Sequence, residues 1–163
     1  MPSQTRVGKR CRYFVDAYSR TIALLLRFKK KGDRPAALTA VRGDGSSTTA
    51  QIGQAGGFGP VHDFAHSVVE SQFGIKKGFL GLLASGWSIA GFNKGVADRM
   101  TREGVIKDAG RAEVVAGLLS GDAFIPFPLS VEDFNWTAQS QSAEIPSLSA
   151  DELATLRQRL SCL

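Results

Sequence analysis

The stretch Gly59-Pro60-Val61-His62-Asp63-Phe64-Ala65-His66-Ser67-Val68-Val69-Glu70 holds both histidines of the chain, four residues apart. One acid follows the first histidine, and another lies four residues beyond the second. Pro60 suits the first turn of a helix, because it lacks the N–H that a helix start leaves unpaired. From there Val61, Phe64, Ala65, Val68 and Val69 recur at the spacing of one helical face. His62, His66 and Glu70 form a second row, each turned about 40° from the last. Four residues of helix rise about 6 Å, so two imidazoles at this spacing can close on one metal ion. His62 and Glu70 stand about 12 Å apart along the axis, too far to share that ion. Glu70 is therefore expected behind His66, as a partner that orients or pairs with it, and a third ligand must come from elsewhere. A competing reading makes both histidines structural, His62 at the helix entrance and His66 as a satisfied core residue.

Upstream, the apolar runs are divided by Gly, Asp and Pro. Thr21 to Phe28 reads as a buried strand, Ala37 to Arg42 as a second and Ser47 to Ile52 as a third. Residues 29–35 form one turn and Gly43 to Ser46 a tighter one. Arg27, Lys29 and Arg42 are expected on solvated faces or edges, where charge discourages edge pairing. Gly53 to Gly59 then joins strand to helix. A glycine loop ahead of a helix can cradle an anion, but neither GK[ST] nor dinucleotide spacing is present, so a sharp turn near a pocket mouth is expected.

Downstream, Gly74 reads as a helix C-cap. Phe79 to Trp87 reads as a short buried helix. Asn93 to Gly104 is a short helix or surface loop. Ala109 to Ser120 is a clearer helix, with Asp108 at its start and Gly121 as its stop. Phe124 to Pro128 is an extended connector. Phe134, Trp136 and Ala138 alternate with polar residues, which suits a short strand, a fourth for the sheet. Ser149 and Glu152 make a capping box before a last helix carrying Leu153, Leu156 and Leu160. The expected fold class is α+β: a small antiparallel β-meander of three or four strands, followed by helices packed on one face.

At 163 residues the chain suits one domain with a real core. Residues 1–19 read as a basic N-terminal arm and 20–163 as a single α+β domain. The net charge of +5 is unevenly placed: residues 1–35 hold 10 Lys and Arg against 2 Asp, and the other 128 hold 10 against 13 Asp and Glu. In the arm, Tyr13, Phe14, Val15 and Tyr18 are expected to dock on the body as a short helix. Basic residues interleaved with aromatics make nucleic-acid binding a third, weaker reading, since no binding motif accompanies them. Cys11 and Cys162 lack CxxC spacing, giving neither a disulfide framework nor a zinc knuckle, and free thiols in a reducing cytoplasm are expected. The N-terminus lacks the apolar core of about 7–15 residues that a signal peptide needs. The apolar uncharged run from Gly78 to Asn93 is too short and glycine-rich for a membrane span.

Three strands, a helix with HxxxH and later helices carrying acids resemble a minimal version of the zincin metallopeptidases. There, HExxH supplies two zinc ligands and a catalytic glutamate. The resemblance implies His62 and His66 as ligands and places Asp63 at the general base. In the glutamate-liganded branch a later helix gives the third ligand, for which Glu113 is the best-placed candidate, ahead of Glu103, Asp98 and Asp108. Asp63 departs from the pattern by one methylene, and a base must come within about 3 Å of the proton it takes. The stretch from Phe58 to Ile89 also resembles bacterial proteins of unassigned function that pair an HDxxHxxxE helix with a glycine- and aromatic-rich segment ending near GW.

No serine stands in a G-x-S-x-G elbow, which argues against a nucleophilic triad. The leading expectation is a metal-binding domain, zinc by default for imidazole and carboxylate ligands, acting as a hydrolase on a small molecule or peptide. Asp63 or Glu70 would handle the proton, and the 53–59 loop with Trp87, Ile89 and Phe92 would shape the pocket. The alternative is a non-enzymatic interaction protein with structural histidines.

Overall fold

The computed structural model describes residues 10–17, 20–29, 36–52, 58–92, 95–142 and 144–161. Four strands run in chain order as β1 (Arg10–Ala17), β2 (Arg20–Lys29), β3 (Ala36–Arg42) and β4 (Ser47–Ile52). Each is antiparallel to the next, a meander. Residues 10–17 therefore form a strand, where a short docked helix was expected. They pair with β2 from Arg10 opposite Arg27 to Ala17 opposite Arg20. Their composition accounts for this: Tyr13, Phe14 and Val15 favour pleated backbone, and two residues separate the strands. The expected turn at 30–35, and the loop at 53–57, lie outside the described residues.

At the β3–β4 turn, Gly45 adopts φ 85°, and the Asp44 carboxylate accepts from the Ser46 N–H at 2.8 Å. Leu24 and Leu26 of β2 and Leu38 and Ala40 of β3 share one face and are fully buried. The opposite face carries exposed Arg27 and a 2.9 Å hydroxyl pair between Thr39 and Thr49. Arg42, expected in solvent, follows Ala40 on the inner face. Its guanidinium donates to the carbonyls of Leu83 and Trp87, each at 2.6 Å.

The helices follow as α1 (Phe58–Phe73), α2 (Phe79–Ala84), α3 (Val96–Arg102), α4 (Ile106–Asp122), α5 (Val131–Gln141) and α6 (Ala150–Ser161), with a 3-10 turn at Ile89–Gly91. α1 ends as Gly74 predicts. Gly74 adopts φ 61°, and the Ile75 N–H reaches back to the Glu70 carbonyl at 2.9 Å while its side chain is buried. α4 begins three residues before Ala109, and Gly121 remains inside it rather than stopping it.

The sheet's fourth strand is β1, and the segment expected to supply it is helical. Phe134, Trp136 and Ala138 lie in α5. Ser130 caps it, its hydroxyl accepting from the Asp133 N–H at 3.1 Å. Phe134 and Ala138, four residues apart, are 1% exposed, whereas Trp136 is 72% exposed. The burial period is therefore helical. α6 opens with the expected capping box: the Ser149 N–H donates to Glu152 Oε2 at 2.8 Å, and the Glu152 N–H to Ser149 Oγ at 3.2 Å.

Two apolar layers result. Leu80 and Leu83 of α2 cover the buried face of the sheet. Behind them, Phe64, Ala65, Val68 and Val69 of α1 pack with Ala112, Val115, Ala116 and Leu119 of α4, and with α5 and α6. The small side chains of Ala112 and Ala116 allow α1 and α4 to approach closely. Phe28 stacks on Phe64 at 4.2 Å between ring centroids and joins the layers. The α1–α4 contact positions the site.

Candidate metal centre

On α1, Phe64, Ala65, Val68 and Val69 are drawn into the core, which sets the rotation of the helix and leaves His62 and His66 beside α4. There they meet Glu113. One ligand atom from each of His62, His66 and Glu113 lies within 4.8 Å of the others, a group able to hold a metal ion. The two Nε2 atoms are 3.3 Å apart. Glu113 Oε1 is 3.3 Å from His62 Nε2, and Oε2 is 3.1 Å from His66 Nε2. For ligand bonds of about 2.0–2.1 Å, the edge of a tetrahedron is roughly 3.3–3.4 Å. The separation of the two Nε2 atoms therefore matches one edge of such a tetrahedron, and the Glu113 carboxylate reaches each ring through a different oxygen.

The outer nitrogens are held as well. His66 Nδ1 is 3.2 Å from Glu70 Oε1, and His62 Nδ1 is 3.3 Å from Ser120 Oγ. A carboxylate only accepts, so Nδ1 of His66 carries the proton. The Ser120 hydroxyl donates to the Gly117 carbonyl at 3.0 Å, which leaves its oxygen to accept from Nδ1 of His62. With Nδ1 engaged outward on each ring, both Nε2 atoms face the same point, the arrangement that metal ligation requires; without an ion, Nε2 of His66 donates to Glu113 Oε2 at 3.1 Å.

Glu70 is buried and points away from the pocket. Its carboxylate also accepts from the N–H groups of Leu80 and Gly81, each at 3.1 Å, at the start of α2. One side chain thus orients His66 and satisfies two helix-end donors. A Cβ on Gly78 would stand 2.4 Å from Glu70 Cδ, so this approach requires glycine.

Burial differs sharply across the group. The side chain of His66 is 3% exposed, His62 19% and Glu113 64%, so the centre is closed on the α1 side and open beyond Glu113. Burial by itself would lower the pKa of His66, but the hydrogen bonds it donates to Glu113 and Glu70, and the charges of those two groups, raise it to about 9. Hydrogen bonds accepted from His62 and His66 hold the Glu113 carboxyl far below its ordinary range. Burial raises Asp63 to about 6, against the attraction of His66 and His62.

Asp63 lies outside the ligand group but lines the pocket beside it, with both histidines and Glu113. This pocket has a volume of about 450 Å³, and its walls include Phe79, Phe92, Val96, Met100 and Ile106. Glu70 is not among the lining residues. The other carboxylates considered as ligands stand elsewhere. Glu103 pairs with Arg99 at 2.8 Å and accepts from Trp87 Nε1 at 3.1 Å, Asp108 pairs with Arg111 at 3.0 Å, and Asp98 is exposed in the first turn of α3. Trp87 supports the pocket from behind, against Phe92 at 5.3 Å between centroids, with the Arg99 guanidinium 3.6 Å above its ring.

Sequence reasoning missed Ser120, Met100 and Val96. Ser120 had a readable signal, since it lies seven residues after Glu113 and so on the same face of α4. Met100 and Val96 had none, because their place depends on how α3 folds back over α4. No protein-family model, curated protein or solved structure matches the chain.

Proposed function

We propose that His62, His66 and Glu113 bind one divalent metal ion, zinc by the chemistry of the donor set, and that the centre hydrolyses a carbonyl substrate held in the adjoining pocket. The convergence of His62 Nε2, His66 Nε2 and the Glu113 carboxylate on one point carries this reading. Three protein ligands leave a fourth position, the usual arrangement of a catalytic rather than a structural zinc site. A bound ion supplies a nucleophilic water near neutral pH and polarises a carbonyl. Asp63 is the pocket-lining carboxylate left to accept that water's proton. Water activated there would add its oxygen to the carbonyl carbon as the bond to the leaving group breaks, and Asp63 would return the proton it had taken to that leaving group. Glu70 holds the His66 ring and takes no proton from the substrate.

Hydrolysis of p-nitrophenyl acetate by zinc-reconstituted and chelator-stripped protein tests this. Turnover in the zinc form, abolished by Asp63→Asn with zinc content unchanged, supports the assignment. Equal rates with and without zinc contradict it.

One observation favours a second reading. A protonated His66 would donate to Glu70 and Glu113 together, satisfying the buried cluster without an ion. In that case the histidines are structural, and chelator leaves the melting temperature unchanged.

A further inference from the structure

We infer that the pocket beside the centre selects a small uncharged ester or amide carrying an apolar group, rather than a phosphorylated compound or an extended peptide. The inference rests on the metal-centre reading for where the carbonyl sits, but the pocket walls are independent of it.

The walls supply the argument. Phe79, Phe92, Val96, Met100, Ile106 and Ala109 form an apolar surface facing the ligand group. The charged or titratable lining residues are His62, Asp63, His66 and Glu113, with no lysine or arginine among the described lining. A phosphate group would meet two carboxylates and no fixed cation besides the ion, whereas sites built for phosphate surround it with Arg, Lys or backbone donors. An uncharged carbonyl avoids that repulsion, and an apolar group fills the rest. A volume of about 450 Å³ suits a ligand of small-molecule size.

Extended peptides are usually held by main-chain hydrogen bonds to an exposed strand edge. Here every described lining residue belongs to a helix or to the residue after the 3-10 turn, and none to β1–β4. The described walls offer side chains and no strand edge.

The test uses the zinc-loaded chain and two hydroxamic acids that differ only in their tails. Octanohydroxamic acid is expected to bind roughly tenfold or more tightly than acetohydroxamic acid by calorimetry. Ile106→Asp should erase that difference while zinc content stays, because Ile106 is 37% exposed and opens α4, outside the ligand group. Equal affinities in the wild type overturn the inference. A second measurement works without metal. With ¹³C-methyl methionine, benzyl acetate should shift the Met100 methyl resonance and inorganic phosphate should not. A shift in protein that takes up no zinc supports the pocket's selectivity while removing the metal reading. Zinc uptake with a Met100 signal unmoved by benzyl acetate, or moved by phosphate instead, overturns this inference and leaves the metal reading standing.

Discussion

Nε2 of His62 and Nε2 of His66 face each other at 3.3 Å, while the opposite nitrogen of each ring is engaged by Ser120 and Glu70. Two lone pairs at that distance repel unless a cation or a proton lies between them. Glu113 closes the third side and brings the negative charge that a divalent ion prefers. Glu113→Gln keeps the shape and removes the charge. It is expected to weaken zinc binding by more than the roughly 10–100-fold typical of losing an outer partner. Competition with a chromophoric chelator measures this, and an unchanged affinity would remove Glu113 from the ligand set.

Glu70 acts at one remove from the ion. Glu70→Gln retains one acceptor oxygen but loses the charge that fixes the Nδ1 proton on His66. Zinc affinity should fall about 10–100-fold, less than for Glu113→Gln. Gly78→Ala forces the same carboxylate to move, since the new Cβ would overlap it. That overpacking is expected to cost about 1–3 kcal/mol in a urea melt. If Gly78→Ala is neutral and Glu70→Gln binds zinc normally, the link from α2 to His66 carries no weight.

The pH response should change sign with metal. In zinc-free protein His66 binds its proton more tightly folded, at about 9, than at the unfolded value of 6.5. Its contribution is fully present below pH 6.5 and is lost as pH rises through about 9. The size is on the order of 3 kcal/mol, at 1.36 kcal/mol per unit. Asp63 adds the same slope at lower pH: its folded value of about 6 exceeds 3.8, so stability falls as pH climbs between them. Glu113 works the other way, its contribution being present above 4.5 and lost as pH falls below it. Zinc binding requires neutral imidazoles, so it strengthens as pH rises. Thermal melts from pH 6 to 9 should therefore show stability falling in chelator and the gain from zinc growing. A zinc gain that shrinks over this range would contradict the ligand assignment.

Phe134 and Trp136 separate the two possible conformations of their segment. In a helix only Phe134 is buried, at 1% exposure, while Trp136 stands 72% exposed. Phe134→Ala should cost about 3–5 kcal/mol in denaturant unfolding. Trp136→Ala should fall within about 0.5 kcal/mol of wild type. A strand with both rings on one face would give comparable losses.

The same pair shows where the sequence is legible and where it is not. Long periodic segments declare themselves. α1 is readable from Val61, Phe64, Ala65, Val68 and Val69, and α6 from its leucines and capping box. Strands β2 to β4 are readable from the turns that punctuate them. Phe134-Asn135-Trp136-Thr137-Ala138 satisfies two periods at once, because residues two apart and four apart are both apolar. Only the core contact of Phe134 and Ala138 decides for the helix. β1 was obscured by its arginines, which mask a β-favouring run that the neighbouring strand completes. Within the site, the i and i+4 histidines and Glu70 follow from helical geometry alone. Glu113 was accessible as an acid beside an apolar row on a later helix. Of the pocket walls, Phe92 was accessible as an aromatic beside Trp87, whereas Val96 and Met100 reach the pocket through folding of α3 over α4, which no local pattern encodes.

The measurement that bears most directly on the central claim is elemental analysis of untagged protein purified without chelator, for wild type and a His62→Ala/His66→Ala variant. The account predicts about one zinc, or another divalent transition metal, per wild-type chain and none in the folded variant. A folded wild type that carries no metal and fails to take up added zinc would contradict it and leave His66 as a buried, protonated structural residue.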